Sequence, residues 1–198
     1  MVDAEDVVRF WTEDCGPEDW YKQDEALDEE IRRRFLPSWE AVAGGTRPAW
    51  GWGRVATLAR LILVDQFPRN MFRGDGRSFA TDGLAREWAK WAVESGVDKR
   101  VEGAARQFFY LPMMHSEVLA DQDRSVRLFL ARMPGSDNLS HARAHRQVIR
   151  DFGRFPYRNM ALGRETGPVE AAYLEAGGYR WTLQSIDKDN GGSWIASG

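Results

Sequence analysis

The sequence predicts an all-α fold made of antiparallel helix pairs. Apolar residues recur at helical spacing through most of the chain, and no segment keeps the alternating pattern of a strand. The breaks between apolar segments are short and rich in Gly or Pro. Helices joined in this way pack as antiparallel neighbours, and successive pairs can stack as a solenoid with a concave face. We expect one domain over residues 1–182 and a polar, loose tail over 183–198.

Four helices are predicted in the first half of the chain. Asp24 can cap the second helix, and Pro37 should kink that helix or split it in two. The third helix is apolar and ends before Pro68, which has no N–H to continue the hydrogen-bond ladder. Thr81 or Asp82 caps the fourth helix. The expected spans are 4–11, 24–43, 54–66 and 82–95.

Four further helices are predicted in the second half. Pro112 separates the first of them from a longer helix that starts at Ser116. The last helix has Pro168 at its first turn, where proline is favoured. A loop precedes that last helix, and the chain after it becomes polar and rich in Gly and Ser. The expected spans are 98–107, 116–133, 138–152 and 169–175.

The composition excludes several classes of protein. No apolar run approaches the ~20 residues of a membrane span, and the first residues are acidic where a signal peptide is basic. The single cysteine, Cys15, excludes an intramolecular disulfide and fits a reducing compartment. We therefore expect a cytoplasmic protein that uses no membrane. A net charge of −3 disfavours nucleic-acid binding, and the absence of glycine-rich phosphate and dinucleotide motifs predicts no nucleotide cofactor.

One motif occurs twice in the chain. The first copy, Asp65–Gly74, reads DQFPRNMFRG, and the second copy, Phe152–Arg164, reads FGRFPYRNMALGR. Each copy has Phe-Pro, then Arg-Asn-Met within two residues, then Arg and Gly. The two Phe-Pro pairs are 88 residues apart, and two copies are too few to establish a repeat array.

The first copy supplies four candidate ligand-binding residues: Asp65, Arg69, Asn70 and Arg73. Arg69 and Arg73 are four residues apart, so they share a face if a turn of helix follows Pro68. Their guanidinium forks match the oxygens of a carboxylate or a phosphate. The alternative is structural: Asp65 pairs with an arginine and caps a neighbouring helix.

The second copy supplies three further candidates for ligand binding: Arg154, Arg158 and Asn159. They lie in a basic segment, since residues 141–164 hold six arginines and one acid. A basic segment attracts anions, and the neighbouring glycines let backbone N–H groups approach one. The alternative is that the same glycines and prolines only shape a tight crossover loop.

Three histidines are candidates for chemistry. His115 lies near Glu117, and an imidazole beside a carboxylate can act as an acid–base pair near neutral pH. The alternative is that Ser116 is a helix N-cap and His115 is a hydrogen-bonded, half-buried residue. His141 and His145 are four apart and could bind one metal from one helix face. The glutamate of an H-E-x-x-H motif is absent between them, so no metal site is predicted.

Three stretches together resemble the bacterial family of unknown function numbered 924. They are LVDQFPRN at 63–70, LPMMHSE at 111–117 and FGRFPYRN at 152–159. The resemblance covers most of the chain, from Val7 to Tyr179, and implies an all-helical, tetratricopeptide-like fold with no established activity. The family is expected to read Phe-Pro-His-Arg-Asn where this chain has Tyr157. The missing histidine favours a binding or structural role for this loop.

These residues favour a binding module for a small anionic ligand or an acidic peptide. Its single polar pocket would use the arginines to hold charge, and Asn70 and Asn159 to orient the ligand. The first alternative is an enzyme in the same pocket, with His115 or His145 as general base, Glu117 as its orienter and arginines stabilising an oxyanion or phosphate. The second alternative is a scaffold for a protein partner without a small ligand.

Overall fold

The computed structural model describes residues 1–187 and 194–195, and this part of the chain contains helices and no strand. The predicted all-α class is confirmed. Stacking of the helix pairs as a tetratricopeptide-like superhelix stays a prediction. The chain divides into two compact units, Met1–Pro112 and Met113–Gly198, and each is described by itself. Within the described residues, no helix combines the length and the apolar character needed to cross a membrane.

The first unit contains five α-helices linked by short 3-10 and π-helical turns. They are α1 (Ala4–Arg9), α2 (Glu25–Ala43), α3 (Arg54–Leu61), α4 (Phe67–Met71) and α5 (Asp82–Glu94). π-helical turns at Phe10–Asp14 and Ile62–Gln66 follow α1 and α3. The helix predicted over 98–107 is instead two 3-10 turns, Val97–Arg100 and Ala104–Phe109. Gly103, with a φ of 66°, interrupts the helical backbone between them.

Helix α2 stays continuous although Pro37 lies inside it. Asp24 caps the helix as predicted, because its side chain accepts hydrogen bonds from the N–H groups of Ala26 and Leu27. Pro37 is exposed, and so is Arg33, whose carbonyl loses its helical partner because proline has no N–H. Water can hydrate that carbonyl on the exposed face. The helix is therefore not split at Pro37, which was one of the two expected outcomes, and a kink at Pro37 stays a prediction.

The core of the first unit is aromatic and centred on the Phe67 ring. Phe67 is fully buried at the start of α4. Its ring stacks on Phe35 of α2 with centroids 4.5 Å apart, and it meets the rings of Trp11 and Phe10 edge-on at 5.5 Å and 6.1 Å. The Phe-Pro pair of the first motif copy therefore anchors that motif in the core.

Pro68 does not end the helix, so this prediction was wrong. A π-helical turn precedes it, in which the Phe67 N–H donates to the Ile62 carbonyl, and Pro68 occupies the first turn of α4. Pro68 has no N–H, so the preceding turn lacks one backbone donor. The Thr81 hydroxyl supplies one, donating to the Val64 oxygen at 2.6 Å. The chain therefore continues as helix through the first motif copy.

Thr81→Val is expected to destabilise the protein by about 2 kcal/mol, because it strands buried hydrogen-bonding groups without changing the side-chain volume much. The Thr81 oxygen also accepts a hydrogen bond from the Trp39 indole N–H at 3.1 Å. Urea denaturation followed by circular dichroism measures the loss. Thr81→Ser keeps the hydroxyl and should cost less than half as much. Equal losses in the two variants would contradict the hydrogen-bonding role.

The second unit is organised around one central helix. Its helices are α7 (Leu119–Arg132), α8 (Asn138–Phe152), α9 (Pro168–Glu175) and α10 (Tyr179–Asp187), and the short α6 (Leu111–Met114) lies at the boundary of the two units. Helix α8 packs against α7 and α10. Its buried residues Val148 and Ile149 form a core cluster with Phe155 and Tyr173. The spans predicted for α8 and α9 are confirmed.

Two helix limits in this unit differ from those predicted. Helix α7 begins at Leu119 and not at Ser116, because the Ser116 hydroxyl donates to the Asp121 carboxylate at 2.9 Å and accepts from the Val118 N–H at 3.1 Å. Helix α10 includes residues 183–187, which were predicted as the start of a loose tail. Of the remaining tail, residues 188–193 and 196–198 lie outside the described residues.

Candidate functional site

Asn70 and Arg73 of the first motif copy converge on one carboxylate. The Asn70 side-chain amide donates to Asp28 Oδ1 at 2.8 Å. Arg73 donates to both oxygens of Asp28, with Nη2 at 2.8 Å from Oδ1 and Nε bonded to Oδ2. Asp28 is buried and lies in the first turn of α2. Two predicted ligand-binding residues are thus bonded to an acid of the protein itself.

Arg69 and Asp65 form a second ion-pair group beside this one. Asp65 is buried, and Arg69 Nη1 lies 3.3 Å from its Oδ1 and also donates to its backbone carbonyl. Arg69 Nη2 donates to Asp82 at the start of α5 at 2.8 Å. Gln66 donates to the other oxygen of Asp65 at 2.5 Å. The pairing of Asp65 with an arginine is the contact that the structural alternative expected.

A cleft of about 820 Å³ opens next to the Asp28 group, and we call it the α2 cleft. This volume lies within the range of small-molecule sites, about 300–1,000 Å³. The cleft is lined by the first two turns of α2, the end of the first motif copy and the turn that follows it. Its charged lining residues are three arginines, Arg32, Arg73 and Arg77, and five acids, Asp24, Glu25, Asp28, Glu29 and Asp75.

Each arginine of the α2 cleft has an acidic partner in the cleft. Arg77 donates to Asp75 at 3.0 Å, and this hydrogen bond holds the pKa of Asp75 below its ordinary value. Arg32 is bonded to Glu29 one helical turn away and also donates to the Met71 carbonyl at 2.9 Å. These two pairs are local in sequence and largely exposed. The Arg73–Asp28 pair, in contrast, joins segments distant in sequence and is half-buried.

The second motif copy also directs an Arg and an Asn onto one carboxylate. Arg154 Nε and Nη2 donate to the two oxygens of Glu170, each at 2.7 Å. Asn159 donates to Glu170 at 3.2 Å, and the Gly167 N–H at 2.9 Å. The hydrogen bonds from Arg154 are the main reason that the pKa of Glu170 falls to about 2. Glu170 lies in the first turn of α9, as Asp28 lies in the first turn of α2.

Glu117 is held by the second motif copy. Arg164 donates to both of its oxygens, at 2.8 Å and 3.0 Å, and the Phe155 N–H donates at 2.8 Å. Burial raises the pKa of Glu117, but these hydrogen bonds outweigh burial and bring the pKa below its ordinary value. Arg158 is buried over the Phe155 ring and donates to the His115 carbonyl at 3.0 Å. Glu117 therefore stays ionised and fastens the loop to the start of α7.

All three histidines lie in the second unit. The His145 ring lies 6.3 Å from the His115 ring and 4.6 Å from the Tyr179 ring, centroid to centroid. Its Nδ1 lies 2.9 Å from the His141 carbonyl, and the His141 ring bonds the Tyr179 hydroxyl at 2.6 Å. Burial, reinforced by the charge of His115, lowers the pKa of His145 to about 3. His145 is therefore neutral at physiological pH.

No metal centre is indicated in residues 1–187 or at 194–195, where no three His, Cys, Asp or Glu side chains are grouped so as to hold an ion. Asp65, Arg69, Asn70 and Arg73 belong to the first unit. His115, Glu117, His145, Arg154, Arg158 and Asn159 belong to the second unit. A single pocket lined by both sets stays a prediction.

The two acids on which the motif copies converge, Asp28 and Glu170, were not among the predicted site residues. Asp28 precedes the buried residues Ile31 and Phe35 at helical spacing, so it lies on the buried face of α2. An acid on such a face signals a buried partner, because an unpaired buried charge is very costly. Glu170 is the third residue of α9, where a glutamate can bond the backbone before the helix. Both signals were present in the sequence.

Comparison with known proteins gives one family and one related structure. The family described as "Bacterial protein of unknown function (DUF924)" matches residues 7–178. Among solved structures, a protein of unknown function from Agrobacterium tumefaciens is similar, with 43% sequence identity and a TM-score of 0.82. The similarity covers 88% of this chain and 97% of that one. Comparison with curated proteins finds no match.

Proposed function

This chain belongs to the bacterial DUF924 family, whose description gives no activity, and we propose from its geometry that the α2 cleft binds a small anionic ligand. One observation carries the proposal: guanidinium groups from three separate segments line the same cleft. Arg32 comes from α2, Arg73 from the first motif copy and Arg77 from the 3-10 turn Gly76–Phe79. Planar guanidinium forks match carboxylate and phosphate oxygens, so their convergence favours such a ligand.

Two of these arginines can exchange their present partners at little cost. Exposed ion pairs such as Arg32–Glu29 and Arg77–Asp75 contribute little to stability, because water and salt screen them. A ligand oxygen can therefore replace Glu29 or Asp75 without a large loss. Arg73 stays with Asp28, because a half-buried pair with two hydrogen bonds is harder to break. We expect Arg32 and Arg77 to hold the ligand, and Arg73 and Asn70 to shape the cleft.

The acids of the cleft restrict the ligand further. Five acids against three arginines leave the lining with a balance of −2. This field repels an anion, so the ligand must gain its affinity from direct hydrogen bonds to the arginines. We therefore expect at least two anionic oxygens from separate groups or one phosphate, as in a dicarboxylate, a phosphomonoester or a peptide that ends in acidic residues.

The test is a thermal-shift screen and calorimetric titration with inorganic phosphate, glycerol phosphate and succinate. A ligand at 100 times its dissociation constant adds about 2.7 kcal/mol, which raises the melting temperature by roughly 5–10 °C. Arg32→Ala and Arg77→Ala should each weaken binding about tenfold, the cost of one charged hydrogen bond. Arg33→Ala is the matched control, because Arg33 forms the same kind of exposed pair, with Glu30, and does not line the cleft.

Two outcomes would contradict this function. One is binding that is unchanged in both Arg32→Ala and Arg77→Ala. The other is a preference for amines, which would mean that the five acids and not the arginines select the ligand.

A scaffold for a protein partner is the second candidate, and an exposed apolar surface favours it. Met160, next to Asn159 in the second motif copy, is 93% exposed, and Tyr157 and Leu162 are partly exposed beside it in the chain. Met71, the corresponding residue of the first copy, is buried. An exposed methionine on a loop held by ion pairs suits a protein contact. The absence of any small-molecule response in the screen would favour this candidate.

The enzyme alternative has weaker support. A general base works best when its pKa lies near the working pH, whereas the pKa of His145 is about 3. Glu117, the proposed orienter of a catalytic histidine, has both oxygens bonded to Arg164.

A further inference from the structure

A second cleft lies in the first unit, and none of its lining residues belongs to either motif copy. We call it the α1–α3 cleft, because its lining includes Val8 of α1 and the first turns of α3, together with Thr12 and the segment 100–105. Its volume is about 440 Å³. This volume also falls within the range of small-molecule sites, about 300–1,000 Å³.

The lining of this cleft is mainly apolar. Its apolar residues are Val8, Val55, Leu58, Val101 and Ala105. Leu58 is buried, and the other four are half-buried. Small aliphatic side chains that keep part of their surface in an open cleft favour a ligand with an apolar body.

Two arginines at this cleft are available to a ligand. Arg54, the first residue of α3, and Arg100 both line the cleft and are exposed. Within residues 1–187 and 194–195, neither side chain has a hydrogen bond, ion pair or ring contact. The arginines of the α2 cleft are all paired, so an anion that reaches Arg54 or Arg100 displaces no acid of the protein.

We propose that the α1–α3 cleft binds an amphipathic monocarboxylate, such as a medium-chain fatty acid. The aliphatic lining takes the hydrocarbon chain, and Arg54 and Arg100 take the carboxylate. Glu102 is the remaining charged residue of the lining, and with the two arginines it gives the cleft a net charge of +1. We therefore expect the ligand to carry one negative charge. The ligand thus differs from that of the α2 cleft in having one charge and a long apolar part. This proposal does not depend on the one made for the α2 cleft.

Isothermal titration calorimetry with octanoate, butyrate and octylammonium tests the proposal on the full chain. Octanoate should bind at least about tenfold more tightly than butyrate, because each fully buried methylene raises the affinity by a factor of at most about four. Octylammonium, which has the same chain length and the opposite charge, should bind more weakly than octanoate. Equal affinity for octanoate and octylammonium, or for octanoate and butyrate, would overturn the proposal.

Charge variants locate the site. Arg54→Gln and Arg100→Gln should each weaken octanoate binding about three- to fivefold, as expected for exposed ion pairs, and Glu102→Gln should tighten it. Arg143→Gln, an exposed arginine on α8, is the matched control and should change nothing. Ala105→Leu narrows the cleft without a change of charge and should also weaken binding. Octanoate binding that falls with Arg32→Ala but not with Arg54→Gln would place the ligand in the α2 cleft and overturn this assignment.

Discussion

Phe67→Ala is expected to lower the free energy of unfolding by about 3–5 kcal/mol, because removal of a fully buried aromatic side chain leaves a cavity. The Phe67 ring contacts the rings of Phe10, Trp11 and Phe35. The α1 region, α2 and α4 therefore lose packing together. In a protein of this size the melting temperature should fall by roughly 6–20 °C, which differential scanning calorimetry measures directly.

Two controls separate this cavity effect from a general sensitivity to substitution. Phe67→Leu keeps an apolar side chain of intermediate volume and should recover most of the lost stability. Leu130→Ala removes a similar side chain from an exposed position and should stay within about 0.5 kcal/mol of the unmodified protein. A loss below about 1 kcal/mol in Phe67→Ala would contradict the central position of this ring in the core.

Glu170→Gln should cost about 2 kcal/mol at pH 7 and make the stability less sensitive to acid. Hydrogen bonds from Arg154, and then from the Gly167 N–H, lower the pKa of Glu170 from its ordinary 4.5 to about 2. The folded pKa lies below the unfolded one, so the stabilisation is complete above pH 4.5 and disappears as the pH falls toward 2. The full shift would correspond to about 3 kcal/mol, which solvent screening of the partly exposed Arg154 reduces.

Urea denaturation at pH 7, 4.5 and 2.5 measures this effect. The stability difference between the unmodified protein and Glu170→Gln should shrink as the pH falls from 4.5 to 2.5. Glu175→Gln is the matched control, since Glu175 is an exposed acid at the other end of α9. Parallel loss of stability in the unmodified protein and in Glu170→Gln over this range would show that Glu170 is not the acid-sensitive group.

Features set by neighbouring residues could be predicted from the sequence. The limits of α8 follow from apolar spacing and from Gly153, which comes directly after its last residue. The start of α9 follows from Pro168 in its first turn. The cap formed by Asp24 also involves only the next three residues. The position of Pro68 was misjudged, because helical spacing and proline rules do not indicate a π-helical turn.

The pairing of charges could not be predicted, because it joins distant parts of the chain. Asp28 and Arg73 are 45 residues apart, and although helical spacing places Asp28 on the buried face of α2, no local pattern identifies Arg73 as its partner. The sequence marked Asn70, Arg73, Arg154 and Asn159 as unusual, and the structure gives them carboxylate partners within the protein. These side chains do bind carboxylates, as expected from their chemistry, but the carboxylates belong to acids of the protein itself.

The π-helical turn at Ile62–Gln66 sets the rotational register of the first motif copy. Each residue of an α-helix turns the chain by about 100°, so the loss of one residue from this turn would rotate α4 by about that angle. Arg69 would then point away from Asp82, and Asn70 and Arg73 away from Asp28. A deletion inside an apolar segment would thus break the ion pairs of the motif while leaving every residue that forms them unchanged.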